Sequence, residues 1–72
     1  MKTVVIEIHY ISLEFGQRVS QSGEFKLYKN KTREQLALEF WKWIKRESLR
    51  TLELEKVKCD REDITNLVRG LL

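Results

Sequence analysis

The segment that most restricts the fold is LALEFWKWIKRE, residues 36–47. Its apolar residues recur at helical spacing. Just ahead of it, Thr32 is followed three residues later by Gln35, a capping box in which the hydroxyl takes an unpaired backbone N–H and the amide reaches back. The spacing predicts a helix over 33–48. At about 100° per residue, Leu36, Ala37, Phe40 and Ile44 form one stripe that must be covered. Trp41 and Trp43 are two positions apart and cannot share a face. Trp43 lies on one flank, beside Leu36, and is read as core. Trp41 lies on the other, beside Leu38, in a side patch wrapped by Glu34 and Lys45. Either the C-terminal helix covers that patch with Leu67, Val68 or Leu71, or the patch stays open as a contact surface.

The stripe needs a sheet to pack on, and the flanking sequence supplies one. Over residues 3–10, Val4, Ile6, Ile8 and Tyr10 alternate with Thr3, Val5, Glu7 and His9, the period of a half-buried strand. After Tyr10 the apolar residues Ile11, Leu13 and Phe15 change parity, which predicts a bulge near Ile11 or the end of the strand. Residues 16–24, with two glycines and several turn formers, read as a long hairpin connection, and 24–29 as the second strand. Residues 51–58 read as a third strand, with Leu52 and Leu54 inward and Glu53 and Glu55 outward. Ile64, Leu67, Val68 and Leu71 form the apolar stripe of a short helix, with Asp60 or Asp63 at its start.

The order is strand, strand, helix, strand, helix. A right-handed crossover through the long helix predicts the third strand parallel to the first. The expected fold is therefore α+β, a three-stranded mixed sheet of order 2-1-3 with the long helix across one face. Seventy-two residues make a single domain spanning 1–72. Surface scaling gives roughly 12,600 Å² for the unfolded chain and roughly 4,700 Å² for the folded one, enough burial for one modest core. The lone cysteine, Cys59, precludes an internal disulfide and favours a reducing, cytoplasmic setting. In the N-terminal run, Glu7 and His9 interrupt the apolar stretch and no small-residue cleavage site follows, so export is not expected. No run approaches the ~20 apolar residues of a membrane span.

Chemistry-bearing residues are sparse. His9 stands beside Glu7 on an outward strand position and could hydrogen-bond it. Cys59 could neighbour His9 if the first and third strands pair, but two ligands do not make a zinc site. DRED, residues 60–63, lacks the alternating acids and glycine of a calcium loop and reads as helix capping. There is no phosphate loop and no nucleophile elbow. Hence no enzyme activity, metal or cofactor is expected.

The net charge of +3 is mild. Lys42, Lys45, Arg46 and Arg50 lie on or near the back of the helix, and Glu7, Glu24, Glu53 and Glu55 dominate the outer sheet face. Such polarity suits protein recognition: an adaptor, regulator or inhibitor, with Leu38 and Trp41 as apolar contacts and Lys42, Lys45 and Arg46 as a charged rim. The partner would be another protein or a second copy of the chain. The alternative is nucleic-acid binding through Lys42, Lys45, Arg46 and Arg50.

Overall fold

The N-terminal alternation builds β1 (Lys2–Ser12), which turns at residues 13–16 and returns as β2 (Gln17–Leu27). The two strands pair antiparallel from Lys2↔Leu27 to Ser12↔Gln17. Gly16, at φ 64°, supplies the left-handed residue of the turn, and its N–H donates to the Ser12 carbonyl at 2.7 Å. The computed structural model describes residues 2–48 and 51–72. The hairpin is longer than expected. Residues 17–23, read as a connection, lie in the ladder, while Leu13 and Phe15 sit exposed at its tip.

Thr32 caps α1 (Arg33–Glu47) in the expected box: the Gln35 N–H donates to the Thr32 hydroxyl and the Thr32 N–H to the Gln35 amide oxygen. The chain then enters β3 (Leu52–Cys59), β4 (Glu62–Asp63) and α2 (Thr65–Arg69). The sheet order is β2-β1-β3-β4. The expected core of this arrangement, β2-β1-β3 beneath one long helix, is present, with β4 as an added two-residue strand.

The direction of β3 differs from expectation, because it runs antiparallel to β1. The reason is parity. β2 runs opposite to β1, and one helix carries the chain back to where β2 began, so β3 must run parallel to β2. The crossover rule applies to the β2–α1–β3 unit, which straddles β1, and not to β1 and β3.

The β1–β3 register shifts opposite His9 and Tyr10, which pair with Lys56 and Leu54, leaving Glu55 as the extra residue of a bulge. Without the bulge, the parity that turns Leu52 and Leu54 inward would also turn Lys56 and Lys58 inward. The extra residue restores Val57 and Cys59 to the core, both almost wholly buried. The core itself joins Val4, Ile6, Ile8 and Tyr10 of β1 to Leu36, Ala37, Phe40, Trp41 and Ile44 of α1, closed by Val57, Cys59, Ile64 and Val68.

Asp60 and Arg61 connect β3 to β4, both with positive φ, 49° and 72°. Such a turn favours Asp-Gly. Asp60 is held there, its carboxylate accepting from the Val5 N–H at 2.8 Å. Arg61 bears the steric cost of a side chain in the left-handed region. Arg61→Gly should therefore raise stability by about 1 kcal/mol. The check is a rise in the urea midpoint at unchanged slope.

Candidate functional site

The two tryptophans occupy opposite roles to those expected. Trp41 is buried at 3% exposure, its ring 5.6 Å from Tyr10 and the Lys45 ammonium 5.9 Å above it. Trp43 is 46% exposed. The cause is what lies on each side of α1. On the Trp41 flank the chain continues into β3, β4 and α2, and α2 packs on α1 with Val68 in the shared core. On the Trp43 flank the sheet ends at β2. Covering by the C-terminal helix is thus the outcome for Trp41, although Leu67 and Leu71 remain exposed and only Ile64 and Val68 of that stripe are buried.

Trp43 stands over a cleft of about 420 Å³ between α1 and β2, lined by Phe25, Leu36, Glu39, Phe40 and Trp43. Phe25 tilts against Phe40 at 5.0 Å, and Phe40 stacks with Trp43 at 6.2 Å. Gly23 makes this floor possible, since a Cβ there would lie 3.0 Å from the Phe25 ring. With no side chain at that position, the ring lies down along the strand beneath Phe40.

Beside the cleft runs the outer edge of β2, with which no strand pairs among the described residues. The Val5 N–H and carbonyl bond Asp60, so odd residues of β1 address β3 and even ones address β2. By alternation, Arg18, Ser20, Ser22, Glu24 and Lys26 turn their backbone groups outward from β2. The opposite side of the sheet is closed differently. The Thr65 hydroxyl accepts the Val57 N–H at 2.9 Å, the Ile64 N–H donates to the Val57 carbonyl, and Arg69 reaches the Glu55 carbonyl.

Of the expected contact residues, Trp41 is removed from the surface by burial. Leu38 is half-buried and borders a polar hollow with Asn30, Lys31, Gln35 and Glu39. Lys42, Lys45 and Arg46 are exposed, and Arg46 lies one turn beyond Trp43. Arg50 lies outside the described residues. The outer sheet face is not predominantly acidic, because the register sets Arg18, Lys26, Lys56 and Lys58 among Glu7, Glu24, Glu53 and Glu55.

His9 hydrogen-bonds Glu7, as its position suggested. Cys59 pairs with Ile6 and not His9, and points to the core face; burial raises its thiol pKa. Asp63, just ahead of α2, accepts the Thr65 N–H at 2.9 Å, although the cap position itself is Ile64. Among the described residues, no three His, Cys, Asp or Glu gather closely enough to hold a metal ion, and no helix is long and apolar enough to cross a membrane.

Three carboxylates titrate below their ordinary range: Glu7 through its bond to His9, Glu62 through Arg33, and Asp63 through Thr65. A depressed folded pKa gives stability that is present above the unfolded value and lost as pH falls through the folded one. Glu62→Gln should therefore narrow the difference in urea midpoint between neutral pH and the acid end of carboxylate titration. The comparison is two denaturation curves per protein.

Set against protein-family models, curated proteins and solved structures, the chain matches none of them.

Proposed function

We propose that this chain is a small non-catalytic protein-recognition module, of the adaptor, regulator or inhibitor kind, that seats an apolar side chain of its partner in the cleft between α1 and β2. The observation that carries this reading is an indole nearly half exposed on a helix, standing over an aromatic floor beside an unpaired strand edge. Large aromatic residues at the border of an apolar hollow supply much of the energy of protein interfaces. Trp43 is the wall, Phe25 and Phe40 the floor, and Glu39 and Arg46 the polar rim. Lys42 and Lys45, farther round the helix, form a basic flank that attracts acidic groups of the partner. Trp41 contributes by fixing α1 on the sheet.

Trp43→Lys tests the reading. The variant should keep the parent's circular dichroism and lose the proteins that the parent captures. Full retention of capture by a folded Trp43→Lys protein would sink it.

A second reading has its own support. Lys42, Lys45 and Arg46 are exposed on α1, while Glu39 of the same helix is engaged by Lys31 at 2.7 Å. With Arg50 they would contact phosphates. Such a complex weakens log-linearly with salt, whereas one anchored by Trp43 changes little. A duplex oligonucleotide titrated at two salt concentrations distinguishes the two.

A further inference from the structure

We infer that the occupant of the cleft border is a second copy of this chain, paired antiparallel along the β2 edges about a two-fold axis at Gln21. The inference rests on the recognition reading above and names its partner. The outward groups of β2 belong, in order, to Arg18, Ser20, Ser22, Glu24 and Lys26. Antiparallel pairing sets members of this series against one another, and the possible registers differ in what they oppose. A register about Ser22 sets Arg18 against Lys26, and one about Ser20 forms no ion pair. A register about Gln21 sets Arg18 against the second copy's Glu24 twice and Ser20 against Ser22 twice. It also keeps residues 17–25 of both copies in the ladder. A register about Phe25 opposes Glu24 to Lys26 but engages only the C-terminal end of β2. Of the registers that set opposite charges face to face, the one about Gln21 therefore has the longest ladder.

Two further observations support it. Arg18 is 79% exposed and touches Glu55 at only 3.5 Å, so its guanidinium is able to reach across a new edge. In this register the second copy's hairpin tip follows its Gln17 past Phe25 to the mouth of the cleft. That tip carries Leu13 and Phe15, 52% and 59% exposed.

The test places a cysteine on the axis. Across a non-hydrogen-bonded antiparallel pair the Cα atoms lie about 4.5 Å apart, within disulfide reach. Gln21→Cys should give a covalent dimer on mild oxidation, and Phe25→Cys, which marks the other charge-matched register, should not. Cys59 is buried and does not compete. Arg18→Glu reverses both cross-strand pairs and should raise the dimer dissociation constant about thirtyfold in sedimentation equilibrium. Glu24→Arg should do the same, and the double variant, or an equimolar mixture of the two singles, should restore association. The inference is overturned if the parent sediments as a monomer at its solubility limit, if Phe25→Cys cross-links in place of Gln21→Cys, or if the double variant stays dissociated. A monomer whose capture of a foreign protein still depends on Trp43 overturns this inference and leaves the recognition reading standing. A Gln21-linked dimer indifferent to Trp43→Lys overturns the recognition reading and, with it, the seating of the hairpin tip in the cleft.

Discussion

Trp41→Ala should lower the unfolding free energy by about 3–5 kcal/mol, the range for removing a buried aromatic side chain and leaving its space empty. The indole lies against Tyr10 with the Lys45 ammonium over its ring, on the flank of α1 that α2 closes. Small domains have total stabilities of roughly 0.05–0.15 kcal/mol per residue, so this substitution removes much or all of the margin. The variant should be largely unfolded or unfold at far lower urea, as followed by circular dichroism. Trp43→Ala, two residues away, should cost under about 1.5 kcal/mol, because only the contact with Phe40 and part of the ring's buried area are lost. Equal losses for the two tryptophans would mean that α1 is rotated on the sheet relative to the packing described.

The second large effect concerns a polar group. Thr65→Val preserves shape but removes the hydroxyl that accepts the Val57 N–H at 2.9 Å in a buried setting. That hydroxyl also bonds Asp63. An unsatisfied buried donor costs about 1–3 kcal/mol. The five-residue α2 has no side-chain cap at Ile64, so its attachment depends on this junction and on Val68. We expect a loss of about 2 kcal/mol in urea unfolding, with hydrogen exchange at the Val57 amide accelerating more than at Ile6. Thr65→Ser, which keeps the acceptor, should recover most of the loss. Failure of Ser to outperform Val would assign the effect to packing.

Much of this architecture was readable beforehand. The capping box of Thr32 and Gln35 located the start of α1 because its chemistry is local, and the alternation of Val4, Ile6, Ile8 and Tyr10 located β1 because one face is covered along its length. What escaped reading depended on partners distant in sequence. Residues 17–23 hold a single apolar side chain, Val19, beside polar residues and a glycine, show no apolar alternation of their own, and are extended because β1 offers them a ladder. The exchange of roles between Trp41 and Trp43 follows the same logic. Their angles on the helix are almost symmetric about the apolar stripe, and only the positions of α2 and of the sheet edge decide which is covered. Phe25, a floor of the cleft, gave one usable hint: it lies on the strand that the order 2-1-3 already places at an edge. The bulge at Glu55 was signalled by the incompatible parities of Leu54 and Val57, once both are required to be inside.

The central strand of this sheet is also the first to be made. As the chain leaves the ribosome, β1 finds its hairpin mate at once, but its other edge waits until residues 52–59 have been synthesised. During that interval Ile6 and Ile8 have one lateral neighbour in place of two. An unpaired strand edge invites pairing with another chain, and a shortened product lacking residues 52–59 would keep that edge open. Until residues 52–59 dock, the second edge of β1 is a template for another chain, and the early hairpin does not remove it.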